Sequence, residues 1–248
     1  MRPIDLNADV GEGYDDLPIL GFVTSISVAC GAHAGDEATM DRAIAEAVRL
    51  GVSIGAHPSY PDREGFGRQP MTIEPAELHD ALLSQLDTLA AVARRHGTGI
   101  AHVKPHGALY NQAADDVDLS AIVVDAVRSY DSAMAVYALA GSVLLGLAAD
   151  AGLEAIPEAF ADRRYRADGR LAPRDTAGAL IEDPEAAAAQ AAAIALGEPV
   201  ETNGRERIVV AARTLCIHAD TPGAVAIARA VRRKLESRDV TVAALERS

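Results

Sequence analysis

The sequence of 248 residues contains no tryptophan, three phenylalanines, six tyrosines and two cysteines. Aromatics make up only 4% of the chain, so the core must come from the Ala, Val, Leu and Ile that dominate a hydrophobic fraction of 49%. Small aliphatic side chains of this kind favour alanine-rich helices that approach closely. Cys30 and Cys216 are too few for a disulfide framework at this length, and the simplest setting is reducing cytoplasm. No apolar run approaches the ~20 residues of a membrane-spanning helix. Met1-Arg2-Pro3-Ile4-Asp5 passes straight into a strand-like stretch, with no apolar signal core. Positive charge is also scarce: 23 Lys and Arg face 36 Asp and Glu, a net charge of -13. That balance excludes nucleic acid as a partner and argues against an anionic membrane.

Lysine is the rarest of the charged residues, with only Lys104 and Lys234 among many arginines. Lys234 follows Arg232 and Arg233 on a solvated helix face where arginine would serve as well. Lys104 lies between strand and loop, where a compact ammonium is not interchangeable with a guanidinium fork.

What is present is a regular alternation. The strand-like stretches 4–9, 26–30, 52–57, 100–106, 135–139, 154–158 and 208–217 are short and rich in Val and Ile. Between them, 39–50, 75–96, 118–130, 142–151, 184–196 and 222–237 have helical periodicity. In the second of these, Leu78, Leu82, Leu86, Leu89 and Ala93 form a stripe, Pro75 suits the first turn and Gly97 the stop. Strand followed by helix, repeated about seven times, predicts an α/β protein with a mostly parallel sheet, either closed into a barrel or doubly wound. No composition shift or linker divides residues 1–248, which read as one domain.

Polar residues gather at the strand ends. A period of two puts Asp5, Asn7 and Asp9 on one face of the first strand. Buried polar groups there must be paired or functional. His33 and Asp36 follow the second strand, His57 closes the third, Lys104 and His106 share a face of the fourth, Glu158 and Arg163 follow the sixth, and His218 and Asp220 close the chain's last strand. In a β/α barrel these positions share one rim, where loops from several strands build active sites. Each has a bland alternative: Asp5 and Asn7 can bind loop amides, Cys30 and Cys216 can be small core residues, and His102 can be a satisfied polar group deep in the barrel. His79 and His96 take no role. Cys30 with His33, and Cys216 with His218, lack the regular spacing of a zinc motif. P-loop, nucleophile-elbow and dinucleotide-glycine motifs are absent.

Four segments carry a resemblance: Ile4-Asp5-Leu6-Asn7-Ala8-Asp9-Val10-Gly11-Glu12, Ala29-Cys30-Gly31-Ala32-His33-Ala34-Gly35-Asp36, Gly55-Ala56-His57-Pro58-Ser59-Tyr60-Pro61-Asp62 and Val103-Lys104-Pro105-His106-Gly107-Ala108-Leu109-Tyr110-Asn111. Together with 158–163 and 216–220, they resemble the LamB/YcsF family. Ala32 and Ala219 depart from its usual aromatic and glycine. The resemblance implies a single-domain seven-stranded β/α (TIM-like) barrel similar to the glycoside hydrolase/deacetylase superfamily. It implies ATP-dependent opening of 5-oxo-L-proline to L-glutamate, with ADP and phosphate released, in complex with two further subunits, B and C. Phosphoryl transfer to the lactam oxygen would create an activated imidate open to water, a step that calls for cations and Mg²⁺ near the phosphates.

On that basis Lys104 and Arg163 are expected to stabilise phosphate or oxyanion charge. Asp9 or His57 would act as base, and His106 or His218 as acid. Asp5, Asn7, His33, Glu158 and Asp220 complete the binding set, with Asp5, Asn7 and Asp220 orienting groups or holding a divalent ion. The missing P-loop leaves ATP to this chain or to a partner. Replacement of Lys104 by Met is expected to spare the fold. The alternatives are a stand-alone zinc deacetylase or amidohydrolase built on Asp5, Asp9, His33 and His57, and a carbohydrate-binding or regulatory module without turnover.

Overall fold

Seven parallel strands close into a barrel: β1 (Asp5–Val10), β2 (Ser25–Ala29), β3 (Ser53–His57), β4 (His102–Val103), β5 (Ala135–Leu139), β6 (Ala155–Phe160) and β9 (Thr214–Cys216), which pairs with both β6 and β1. A two-stranded hairpin of β7 (Val200–Glu201) and β8 (Arg207–Ile208) stands outside the barrel. The computed structural model describes residues 3–245; Met1, Arg2 and residues 246–248, and with them the start of the N-terminal stretch that reads as lacking a signal core, lie outside the described residues.

The helices are α1 (Glu37–Leu50), α2 (Pro75–Arg95), α3 (Gly107–Gln112), α4 (Val117–Tyr130), α5 (Val143–Asp150), α6 (Pro184–Ala195) and α7 (Ala224–Glu236). Their ends follow local chemistry. Asp36, Asp116, Ser142 and Asp183 accept from backbone N–H groups three residues ahead. Pro75 and Pro184 occupy first turns, and Gly51 closes α1 at φ 69°. The buried alanines of α6 meet those of α7 in a close seam. No described helix is long and apolar enough to cross a membrane.

Two expectations need correction. The stretch 208–217 is not one strand: Ile208 belongs to the hairpin, and only Thr214–Cys216 enters the barrel. The apolar run 208–212 leads straight into Arg213-Thr214 with no Gly, Pro, Asn or Asp between, and periodicity cannot locate a break that turn residues do not mark. The fourth strand is cut to two residues by Lys104-Pro105, where proline supplies no ladder donor. Gly107–Gln112 then forms a short helix with no side-chain cap to announce it.

Strand alternation divides the chain's chemistry. Leu6, Ala8, Val10, Ile26, Val28, Ile54 and Ala56 belong to the apolar cluster between barrel and helices. Asp5, Asn7, Asp9, Ser25, Ser27, His102, Lys104, Glu158 and Thr214 are buried on the opposite face, inside the barrel. Barrels of this type usually fill with branched aliphatic residues; here the interior is a stack of hydrogen-bonded polar layers. Ala135, Tyr137 and Ile156 form a small apolar plug with Leu245 at its base. His102 stacks on Tyr137 at 3.8 Å and meets Ser27 Oγ at 3.1 Å, as the buried polar reading anticipates. Its ring fits because residue 55 is glycine: a Cβ there would collide with the His102 ring.

Candidate active site

The polar layers rise toward the strand C-terminal ends. At the base, Asp5 accepts from Thr24 Oγ1 (2.6 Å), Ser25 Oγ (2.7 Å), Thr214 Oγ1 (2.6 Å) and Tyr137 Oη (3.3 Å). Burial pushes its carboxyl above the usual range. It does not line the cavity above. Asp5 is therefore a floor residue, and the expected zinc quartet Asp5, Asp9, His33 and His57 does not assemble.

The middle layer centres on Lys104. Its Nζ lies 2.9 Å from Asp9 Oδ1 and 2.9 Å from Glu158 Oε1, and donates toward Asn7 Oδ1 at 3.2 Å and Cys216 Sγ at 3.1 Å. Asn7 Nδ2 donates to Glu158 Oε1 (2.8 Å) and Thr214 Oγ1 (2.7 Å), and Tyr110 Oη donates to Glu158 Oε2 (2.7 Å). An ammonium has three protons, so Lys104 is fully engaged by the protein and acts as a fixed charge beneath the cavity. Burial would raise Asp9, but His57 and Lys104 outweigh it and hold the carboxyl at about 2. Burial pushes Glu158 up and the Cys216 thiol well above its ordinary range, so Cys216 is a neutral core thiol.

Above lies an open-mouthed cavity of about 460 Å³, lined by Asp9, Lys104, His57, His106, His218 and Arg163 among others. Asn7, His33 and Glu158 stand behind these lining residues. His218 Nδ1 donates to the buried Asp162 carboxylate (2.9 Å), which also accepts from His218 N–H (3.1 Å) and Thr221 Oγ1 (2.8 Å). Burial acts upward on Asp162, but His218 and Thr221 prevail, and its carboxyl lies below its ordinary value. The pair leaves His218 Nε2 as the acceptor nitrogen, on a ring stacked against Phe160.

The cavity wall is rich in arginine, and most of it is neutralised. Asp220 takes Arg174 (2.7 Å) and Arg68 (2.6 Å), while Arg170 pairs with Asp115 (2.6 Å). Arg166 pairs with Asp168. Asp220 is thus occupied by two guanidinium groups, remote in role from Asp5 and Asn7; the three do not gather as a divalent-ion set. Among the described residues Arg163 has no ion-pair partner. One of its terminal nitrogens donates to Ala172 O (2.6 Å), its Nε is buried without a partner, and burial beside Arg174 brings it down to about 10.

A second cluster of imidazoles borders the same cavity. Glu12 Oε1 lies 3.0 Å from His106 Nδ1 and 3.1 Å from His33 Nε2. His57 Nε2 is 3.0 Å from His106 Nδ1 and 3.4 Å from Asp9 Oδ2. His33 and His106 stack at 3.8 Å. Burial pushes His57 down to about 3.

Glu12 and Asp162 are members of the site that the motif reading passed over. Both lie inside the quoted motifs, one after Gly11 and one before Arg163. A carboxylate next to a glycine turn or a chosen arginine was the available signal.

A family model described as "LamB/YcsF family" matches residues 4–248. A protein of Streptomyces avermitilis, named as the A subunit of 5-oxoprolinase, is 48% identical over 247 residues, covering 97% of this chain and 99% of the relative. One of the same name from Bordetella parapertussis is 45% identical, covering 98% and 100%. The crystal structure of a "Lactam Utilization Protein" from Thermus thermophilus superposes with a TM-score of 0.92 at 40% identity, over 98% of this chain and 100% of that one. A family 4 carbohydrate esterase from Streptomyces lividans shares the fold, with a TM-score of 0.56 at 10% identity over 99% and 93%.

Proposed function

This chain belongs to the LamB/YcsF family, and from that premise we propose that it is the A subunit of a 5-oxoprolinase, a hydrolase that opens the lactam of 5-oxo-L-proline. The observation that carries the reading is end-to-end similarity at 48% identity to a protein of that name. We place the reaction in the cytoplasm, within one barrel domain, coupled to ATP and dependent on subunits B and C.

A five-membered lactam resists water, so the reaction proceeds through activation. The γ-phosphoryl group of ATP passes to the lactam oxygen and ADP leaves. Water adds to the ring carbon, the C–N bond breaks, and a proton goes to the departing nitrogen. The resulting γ-carboxyl phosphate is hydrolysed by a second water to glutamate and phosphate. In this chain His218, oriented by Asp162, takes the proton from the attacking water through Nε2 and returns it to the amine. Lys104 supplies fixed positive charge below the reacting carbon as oxyanion character develops. Arg163, the wall arginine without a carboxylate, receives the substrate carboxylate.

Mg²⁺ accompanies ATP as a hard ion that wants oxygen ligands. The carboxylates lining this cavity do not fit it: Asp9 is held by Lys104, Asp115 by Arg170 and Asp220 by two arginines, and Glu12 stands among imidazole nitrogens rather than oxygen ligands. Magnesium therefore belongs with the nucleotide in the assembled enzyme.

Glutamate and ADP should appear in equal amounts when the chain is mixed with subunits B and C, and neither should accumulate with the chain alone. Glutamate formed by the isolated chain without ATP would sink the proposal. In the complex, Arg163→Gln should raise KM for 5-oxo-L-proline by roughly 10- to 100-fold, the loss of a charge-assisted contact, with kcat changed far less. An unchanged KM in steady-state kinetics would remove Arg163 from substrate binding.

A further inference from the structure

The hydrogen bonds at the outer edges of the imidazole cluster decide what its centre can hold. His57 Nδ1 lies 2.7 Å from Lys104 O, and His106 Nε2 lies 2.9 Å from Phe66 O. A carbonyl oxygen only accepts, so both of these ring nitrogens carry protons. In neutral rings the remaining nitrogens, His57 Nε2 and His106 Nδ1, are then bare lone pairs. They face each other at 3.0 Å, and Glu12 Oε1 lies 3.0 Å from the second. His33 extends the pattern. The Ser59 hydroxyl donates to Tyr60 O (2.7 Å), so it accepts from His33 Nδ1 (3.0 Å), and His33 Nε2 turns a lone pair toward Glu12.

Electron pairs do not converge like this without a positive centre among them. Two ligand atoms at right angles on an ion, each about 2.1 Å away as imidazole nitrogens are from zinc, stand about 3.0 Å apart. The His57–His106 and His106–Glu12 separations match that spacing, and the third, His57 Nε2 to Glu12 Oε1, is wider at 3.7 Å. We infer that Glu12, His57 and His106 form a binding site for a divalent transition-metal ion, with the lone pair of His33 Nε2 turned toward the same Glu12 oxygen at 3.1 Å.

The frame is built for this. Phe66 holds φ at 56°, a left-handed conformation that a bulky residue adopts only under constraint, and it is Phe66 O that fixes the His106 tautomer. Gly67 leaves no slack: a Cβ there would stand 2.9 Å from His33 Cβ and 3.0 Å from His106 Cδ2. Because Glu12, His57 and His106 all line the cavity, the ion keeps open positions for water or a ligand oxygen. Two imidazoles and one carboxylate select zinc, nickel, cobalt or iron over magnesium. The other cluster of donor atoms, Asp9, Cys216 and His218, is no rival, since the Lys104 ammonium already lies 2.9 Å from Asp9 and 3.1 Å from Cys216. The site follows from side-chain geometry alone, independent of the lactam-opening role.

The test uses the full chain, stripped by chelation and titrated with Co²⁺ and Zn²⁺ in the absence of ATP, lactam and partners. One equivalent should bind, and Co²⁺ should develop visible d–d absorption characteristic of nitrogen and oxygen ligands. Glu12→Gln, which keeps the shape, and His57→Ala should each weaken binding by at least about 100-fold, since even residues behind a metal's direct ligands cost 10- to 100-fold. Circular dichroism separates that loss from misfolding. Replacing the helix histidines, His79→Gln with His96→Gln, should change nothing. Binding that survives in Glu12→Gln and His57→Ala, or that vanishes with the helix histidines, overturns the inference. So does nitrogen NMR of metal-free protein showing His106 doubly protonated and unmoved by one equivalent of Zn²⁺, which would mean that a proton alone fills the centre.

Discussion

Lys104→Met is expected to cut ring opening by the assembled enzyme about 10³-fold and to destabilise the chain by about 3–5 kcal/mol. Both effects come from one geometry. The ammonium sits between Asp9 and Glu158 at 2.9 Å from each, with all three groups buried. Removing it leaves two carboxyls facing each other with no counter-charge, which is where breaking a buried ion pair is most costly. The sequence alone points to a variant with its fold intact; the buried ion pairs add a stability cost to that expectation. Lys104→Arg should not rescue either property, because a guanidinium fork does not fit a site coordinated on four sides. The two effects can be separated. Adding Glu158→Gln to Lys104→Met removes one uncompensated charge and should recover part of the stability in denaturant unfolding, without restoring glutamate formation. Full activity in the single variant would take the ammonium out of the reaction. Unaltered stability would show that Asp9 and Glu158 do not depend on it.

Asp162→Asn is expected to lower kcat by about 10³- to 10⁴-fold, as when the carboxylate orienting a catalytic imidazole becomes an amide. Asp162 accepts from His218 N–H, His218 Nδ1 and Thr221 Oγ1. An amide places donors where only acceptors are tolerated, so the His218 ring turns or adopts the tautomer with its proton on Nε2, the wrong nitrogen for a base. KM should move little, since neither residue holds the substrate carboxylate. The same carboxyl carries a pH signature. Its pKa is lowered on folding, so its stabilising contribution is complete above the unfolded value near 4 and disappears as pH falls through the lower folded value. Asp162→Asn should therefore flatten the acid limb of a stability–pH curve. A kcat within tenfold of the parent enzyme would remove His218–Asp162 from proton transfer.

Much of this was legible along the chain. Helix boundaries agree to within two residues because Asp, Ser, Pro and Gly mark ends through contacts only three or four residues long. The inward face Asp5, Asn7, Asp9 follows from the period of two, and so does the shared parity of His102, Lys104 and His106. The break inside 208–217 was not legible, since no turn residue marks it. Nor was the difference between Asp5 and Asp9, which have the same residue type and the same face. They part only because one lies level with hydroxyls of β2 and β9 and the other level with Lys104 and His57.

The sequence by itself determined the alternation of strand and helix, the rim on which polar groups collect, and the singular standing of Lys104. These depend on local periodicity and composition, which any short window carries. Tertiary structure alone decided that the sheet closes, because closure is the pairing of β9 with β1 across more than 200 residues. It alone decided which of the arginines lining the cavity is left without a carboxylate, and which nitrogen of His57 and His106 keeps its proton. Those outcomes are set by acceptors such as Lys104 O and Phe66 O, brought to His57 and His106 from other segments of the chain. A residue's type fixes what it can donate or accept, while the neighbours supplied by barrel register fix what remains for chemistry.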